Sequence, residues 1–373
     1  MTTPQINRRR FLAHTPVAVA AATAAAIVAR TPADVRAADV TLPDPRPEKL
    51  PRWRGFNLLE KFTARRDGSP PFRERDFAWI REWGFDFVRL PMSYQCWAKG
   101  DPAEWLKLDE SQLAHVDEAV ELGRKHRVHV NLNLHRAPGY CVNPPEEPLD
   151  LFKDPAALDA CAFHWAHFAR RYRGIPNRLL SFDLLNEPKD IPEETYIPVI
   201  RRLVEAIRAE DPGRLIVADG LRWGRKPVPG LASLKVGQST RGYDPMRVSH
   251  HGASWVNGQN WPAPTWPLNP DGKDRWDRER LRREIINPWK DLEKLGVGVH
   301  VGEWGAFHRT PHAVALAWMK DLLDLWREAG WGWALWNFRG TFGILDSGRD
   351  DVAYEERDGH KLDLAMLRLL QAG

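Results

Sequence analysis

Cysteine is scarce in this sequence: Cys96, Cys141 and Cys161 are the only three among 373 residues. Odd in number and scattered, they support neither a disulfide framework nor a CxxC metal pair, and read as small buried hydrophobes. Neither a GxGxxG nor a P-loop GxxxxGK pattern opens any helical segment, which removes the main warrant for a nucleotide-binding fold. Excess charge is lacking as well. The formal +4 of the chain comes entirely from residues 1–37, where Arg8, Arg9, Arg10, Arg30 and Arg36 stand against Asp34 alone. The remainder is formally neutral and has no electrostatic footprint for a nucleic-acid backbone, so no nucleic-acid partner is expected.

Long apolar runs are absent apart from one, Phe11 to Ala29, and that one is interrupted by His14 and Pro16. It is too short and broken for a membrane span. With a basic start before it and small residues around Val35-Arg36-Ala37 after it, residues 1–37 read as an export signal. Arg8-Arg9-Arg10-Phe11-Leu12 has the form of a twin-arginine signal, so an exported, periplasmic or extracellular protein is expected, with residues 38–373 as its single domain.

What the sequence does contain is a rhythm. Short apolar or β-branched runs fall at Gly55–Leu59, Phe85–Leu90, Val128–Leu134, Leu179–Leu185, Leu215–Ala218, Lys235–Gln238, Val297–Val301 and Trp331–Trp336. Helical patterns occupy Arg73–Trp83, Asp109–His126, Ala157–Tyr172, Glu193–Glu210, Arg275–Leu295 and His312–Ala329, with Leu362–Leu370 last. Leu113, Val116, Val120 and Gly123 recur at spacings of three and four, one apolar helix face. Eight alternating strands with helices imply an α/β fold, and closure into a single (β/α)8 TIM barrel rather than an open sheet. One stretch breaks the rhythm. Residues 239–274, after the sixth strand, hold Pro245, Pro262, Pro264, Pro267 and Pro270 with Trp255, Trp261 and Trp266, an extended Trp/Pro-rich loop of the kind that builds barrel active sites.

Two glutamates end strands. Leu184-Leu185-Asn186-Glu187-Pro188 closes the fourth and Val301-Gly302-Glu303-Trp304 the seventh. C-terminal strand ends converge on one mouth, so these carboxyls can face each other across a substrate. A pair roughly 5 to 5.5 Å apart is what a retaining glycosidase uses, one group as acid/base and one as nucleophile. A lone strand-end Glu is equally suited to a structural ion pair; it is the pair that points to chemistry.

From about Trp53 to the C-terminus the sequence resembles glycoside hydrolase family 5, the large cellulase family of retaining enzymes. The segments that carry the resemblance are Phe87-Val88-Arg89-Leu90-Pro91, Asn133-Leu134-His135 continuing as Arg136-Ala137-Pro138-Gly139-Tyr140, Asn186-Glu187-Pro188, Gly302-Glu303-Trp304-Gly305 and Leu335-Trp336-Asn337. The resemblance implies Glu187 as acid/base and Glu303 as nucleophile. It implies Arg89 as the residue holding the nucleophile, His135 and Asn186 as sugar contacts, and Trp336 as the floor beneath the reactive sugar. Tyr243 in Arg241-Gly242-Tyr243 matches the Tyr that touches the nucleophile, but Arg241 stands where the family has a His. Arginine keeps its charge and cannot shuttle a proton. The expectation is that Arg241 serves the sugar or the loop while burial keeps Glu187 protonatable. His250 and His251 are second choices as substrate contacts or replacements for the missing His.

Eighteen Trp against six Tyr suit sugar binding, since indoles offer a flat apolar face and one donor. Trp79, Trp165, Trp318 and Trp326 lie in helical patterns and are expected in the core, whereas Trp97, Trp255, Trp261, Trp266 and Trp304 follow strands and are expected to line subsites. No metal and no cofactor are expected: of His126, His129 and His135 only the last sits at a strand end, and His164 and His167 share a helix without a carboxylate partner. The expected substrate is a β-linked glucan, first of all β-1,4-glucan cut internally, with β-mannan or β-1,3-glucan cut from its ends as alternatives. A non-catalytic carbohydrate-binding protein is the reading from another class, and a monomer is expected.

Overall fold

The computed structural model describes residues 41–269 and 272–373; the expected export segment lies outside them. Eight parallel strands form a closed ring: β1 (Arg54–Asn57), β2 (Phe87–Ser93), β3 (His129–Ala137), β4 (Leu180–Asp183), β5 (Ile216–Asp219), β6 (Gly237–Gly242), β7 (Val299–Trp304) and β8 (Gly332–Leu335). Each pairs with its sequence neighbours, and β8 closes on β1 through Arg54 opposite Trp333. The expected (β/α)8 barrel is the fold.

Helices α1 (Glu74–Glu82), α2 (Glu110–His126), α3 (Pro155–Arg171), α4 (Glu193–Glu210), α6 (His312–Ala329) and α7 (Leu364–Ala372) follow the expected helical segments closely. In α2 the Asp109 side chain accepts from the amides of Ser111 and Gln112, capping the helix, and the buried face is Leu113, Val116, Ala119, Val120 and Gly123. A Cβ on Gly123 would lie 2.4 Å from Val130 Cγ2, so glycine sets how closely α2 approaches β3. The expected helix over 275–295 is not continuous. α5, residues 278–293, consists of Arg278–Leu281, a π-helical Arg282–Ile286 and Asn287–Glu293. Pro288 has no amide to return to residue 284, and the widened turn lies just before it. Between β5 and β6 the main connection is a short 3-10 segment, Pro229–Leu234. Two small antiparallel pairings carried no periodic signal: Tyr140–Cys141 folds back on the end of β3, and Glu355–Arg357 pairs with His360–Leu362.

Indoles fill the layer between barrel and helices, with Trp165, Trp289, Trp318, Trp326, Trp331 and Trp333 all buried. The bottom of the barrel is plugged by stacked rings: Trp53 lies 3.8 Å from His129 between ring centres, and Phe87 lies 5.5 Å from His129. Burial drives His129 down to about 3, so it is a neutral packing ring. The barrel's upper half is polar instead, holding Asn57, Arg89, Asn133, Asp183, Asp219 and Arg241, all buried. Among the described residues no helix is long and apolar enough to cross a membrane.

The β1–β2 contact has no room for a side chain at Gly55, where an added Cβ would fall 1.7 Å from Phe87 O, while the exposed turn at Gly213 has nothing within 4 Å. Gly55→Ala is expected to cost about 3 kcal/mol or more through forced strand separation, read by thermal unfolding as a fall of about 6 °C or more. Gly213→Ala is expected to unfold with the parent; equal Tm values for the two variants would contradict this packing.

Candidate active site

Two arginines organise the mouth of the barrel. Arg89, inward on β2, donates through Nε to Asp183 Oδ2 at 2.8 Å, through Nη1 to Asn57 Oδ1 at 3.1 Å and Glu303 Oε1 at 2.6 Å, and through Nη2 to Asn186 Oδ1 at 2.8 Å. Arg241, at the end of β6, donates through Nε to Glu187 Oε1 at 3.0 Å and through Nη2 to Asn186 Oδ1 at 3.0 Å. Its Nη1 reaches Asp219 Oδ1 at 3.1 Å, Ser239 Oγ at 3.0 Å and the Thr240 carbonyl at 3.2 Å, and Nη2 also meets Asp219 Oδ2. Arg241 Nη2 lies 3.6 Å from Glu303 Oε1. Because a guanidinium is a compact planar fork, Glu187 and Glu303 stand in one chamber, nearer than the roughly 10 Å beyond which neither stereochemical route of glycoside cleavage works.

The backbone around Glu187 is held in a form that few glutamates adopt. Its φ is 50°, left-handed, a conformation that persists only where surroundings enforce it. They do so from both sides of the residue: its amide donates to Asp219 Oδ2 at 2.8 Å, and its carbonyl accepts from the Tyr140 hydroxyl at 2.6 Å. Glu303 is fixed by Arg89 and by the Tyr243 hydroxyl, which donates to Oε2 at 3.2 Å. Burial and the Glu303 charge push the Tyr243 hydroxyl well above its usual range, so it remains a donor.

The two carboxyls are electrostatically unlike. Burial, reinforced by the charge of Glu303, raises Glu187 to about 7 against the opposing pull of Arg241. Burial alone would raise Glu303 too, but Arg241 and Arg89 outweigh it and hold that carboxyl below its ordinary 4.5. Burial and the nearby Asp219 also lift Asp183 to about 7. One member of the pair therefore keeps a proton where the other is ionised, the division that acid/base chemistry requires.

Asn186 spends its oxygen on both arginines and leaves its buried NH2 without a protein partner, the end available to a ligand. His135 Nε2 lies 2.7 Å from Asn143 Oδ1, and burial lowers the ring to about 4. The neutral ring donates there, so Nδ1, which has no protein partner, is an acceptor. Trp336 is half-buried, 5.8 Å from His135 and 5.4 Å from Phe62 between ring centres. Trp255 is 59% exposed on the expected loop and is backed by Phe307 at 5.0 Å.

Several expectations are corrected. Arg241 serves neither sugar nor loop: it is wholly buried, and its five donors are taken by protein acceptors that include Glu187. Trp304 is fully buried, 4.8 Å from Trp326 and 5.3 Å from Trp333, so it packs outward against α6. Side chains alternate along a strand, and an inward Glu303 sends its neighbour the other way. Trp97 is buried and donates to His164 Nδ1 at 3.1 Å. Trp266 is half-buried and donates to Asp321 Oδ2 at 2.9 Å, tying the loop to α6. His250 bonds Ser249 Oγ at 2.8 Å and packs 5.0 Å from the Tyr243 ring, a packing role rather than a replacement for the expected His. His126, His129 and His135 do not converge: the first meets Glu74, the second lies in the barrel floor, and the third is at the mouth.

Sequence reading missed Asp183, the partner of Arg89, and two further contributors. Asn57 fastens Gly302, donating to its carbonyl at 3.0 Å, and Asp219 grips Glu187 and Arg241. The backbone after Glu187 is steadied by the amide of Trp223, which donates to the carbonyl of Pro188 at 2.8 Å. The signals were present, a polar residue at the end of each strand: Asn57, Asp183 and Asp219.

Residues 51–341 match the family described as Cellulase (glycosyl hydrolase family 5). Endoglucanase C of Acetivibrio thermocellus is 25% identical over 307 residues, covering 76% of this chain and 88% of that protein. Cellodextrinase A of Ruminococcus flavefaciens is 24% identical over 270 residues, covering 69% and 76%. A crystal structure of a glycoside hydrolase superposes with a TM-score of 0.81 at 38% identity, covering 86% of this chain and 99% of that one. With a closed barrel, two facing glutamates at its mouth and these relatives, the chain is a glycosidase that belongs to the cellulase family, glycosyl hydrolase family 5.

Proposed function

We propose that this enzyme hydrolyses internal β-1,4 linkages of glucan with retention of configuration, with Glu303 as nucleophile and Glu187 as acid/base. The observation that carries the assignment is the unequal holding of two carboxyls that share Arg241: Glu303 is also bonded by Arg89 at 2.6 Å and by Tyr243 at 3.2 Å, which favours its ionised form, while burial raises Glu187. In the first step a Glu303 oxygen bonds the anomeric carbon as the bond to the departing sugar breaks, and Glu187 gives its proton to the departing oxygen. In the second, ionised Glu187 takes a proton from water, the water oxygen bonds the anomeric carbon, and the bond to Glu303 breaks. The NH2 of Asn186 and Nδ1 of His135 supply a donor and an acceptor for sugar hydroxyls. Trp336 lies beneath the sugar, and Trp255 offers an exposed indole face to a longer chain. The choice of β-1,4-glucan rests on endoglucanase relatives and on the resemblance to the cellulase family. Export by the twin-arginine-type start is part of the same proposal.

On a soluble β-1,4-glucan, Glu303→Gln and Glu187→Gln are each expected to lower kcat/KM by about 10²- to 10⁴-fold or more. For Glu187→Gln, formation of the glycosyl-enzyme from a dinitrophenyl cellobioside should be largely spared, because that leaving group departs without a proton. A variant retaining most of its activity would contradict the assignment, and faster release from mannan or β-1,3-glucan would contradict the substrate. Internal cleavage is expected to drop viscosity well before reducing ends accumulate; parallel change of the two would indicate attack from chain ends.

The pH dependence of kcat/KM is expected to be bell-shaped. Activity should fall with rising pH as the pair loses its second proton near 7, and fall with acid as Glu303 gains one below 4.5. A profile flat through pH 7 to 9 would contradict Glu187 as the proton donor.

A further inference from the structure

Arg241 lies in a berth built for it. A Cβ on Gly224 would stand 2.6 Å from Arg241 Cγ, and one on Gly302 would stand 2.9 Å from Arg241 Nη1. The β6–β7 register shifts between Thr240 and Arg241, which sets Arg241 opposite Glu303. Asp219 meets the guanidinium end-on, one oxygen on Nη1 and the other on Nη2, and one of those oxygens also accepts the Glu187 amide. The Asp219 backbone is itself anchored, its carbonyl accepting from the Tyr196 hydroxyl at 2.8 Å.

Resting on the assignment of Glu187 as acid/base, we propose that Asp219 and Arg241 act as a matched positioning pair. Asp219 holds the Glu187 backbone in its left-handed turn and offsets the Arg241 charge, while Arg241 holds the Glu187 carboxyl toward Glu303. Arg241 alone would be a poor neighbour for an acid, because an adjacent guanidinium favours the ionised carboxylate. Paired with Asp219 it supplies geometry while most of its charge is answered from the far side. This explains how a permanently charged residue stands beside a group that must carry a proton. The other charged or titratable groups that face Glu187 are Glu303 from β7, Tyr243 after β6, whose hydroxyl is bonded to Glu303, Arg225 after β5, which pairs with Asp244 at 2.7 Å, and Tyr140 on its carbonyl. Arg89 shares the Asn186 oxygen with Arg241 and pairs with Asp183 at 2.8 Å. None of these meets the Glu187 amide, which only Asp219 accepts.

The test is the pH dependence of kcat/KM on soluble β-1,4-glucan for the full chain, Asp219→Asn and Arg241→Gln. With Asp219 neutralised, the unanswered Arg241 charge should move the alkaline limb about one unit toward lower pH. With Arg241 neutralised, the remaining Asp219 charge should move it about one unit toward higher pH. The directions are opposite, so either variant tests the pair if the other fails to fold. An unmoved limb, or a uniform loss across all pH values, would overturn the proposal. Parent and Glu187→Gln compared on aryl cellobiosides of rising leaving-group pKa separate this from the assignment beneath it. If the variant's rate falls no more steeply with leaving-group pKa than the parent's, Glu187 is not the acid/base; if it falls more steeply but the alkaline limb stays fixed in the two pair variants, only the positioning role fails.

Discussion

The site depends on one arrangement: a buried guanidinium, Arg241, bonded to Glu187 at 3.0 Å and standing 3.6 Å from Glu303. A second guanidinium, Arg89, is bonded to Glu303 at 2.6 Å. Two cations and four carboxyls, with Asp183 and Asp219 completing the set, are enclosed in the upper barrel. Ionising every carboxyl would leave that enclosure with excess negative charge in a medium that solvates it poorly. Protons are therefore retained where cation contact is weakest relative to burial, and Glu187 and Asp183 are the groups raised to about 7. The difference between the two glutamates is thus a property of the whole polar core rather than of either strand end.

The barrel makes this possible by contributing one inward polar residue from each of several strands. Asn57, Arg89, Asp183, Asp219, Arg241 and Glu303 come from β1, β2, β4, β5, β6 and β7. They meet because parallel strands bring their C-terminal ends to one rim. The apolar layer outside, rich in buried indoles, and the ring-stacked floor around His129 hold that rim in register. Removing one partner from such a network leaves its neighbour buried and unanswered, which costs more than the bond itself contributes.

Much of this was legible in the sequence because barrel strands and helices are periodic and strand-end residues have a known destination. The eight strands, the apolar face of α2 and the meeting of Glu187 with Glu303 follow from those two facts. What was not legible depended on side-chain direction and on partners from distant strands. Trp304 was placed in the cleft although strand alternation next to an inward Glu303 turns it toward α6. Arg241 was assigned to sugar or loop because its acceptors, Asp219 from β5 and Asn186 after β4, become neighbours only when the ring closes. A register shift beside Arg241 leaves no trace in residue pattern. Trp97 and Trp266 followed strands as expected, yet their indole nitrogens are spent on His164 and Asp321.

The central claim is that Glu303 is the carboxylate that bonds the sugar while Glu187 carries the proton. Its most direct measurement is covalent trapping with a 2-deoxy-2-fluoro cellobioside bearing a dinitrophenyl leaving group, followed by digestion and peptide mass analysis. The account predicts a fluorocellobiosyl adduct on the peptide containing Glu303 and on Glu303 within it. An adduct on Glu187, or turnover with inversion and no adduct, would contradict it.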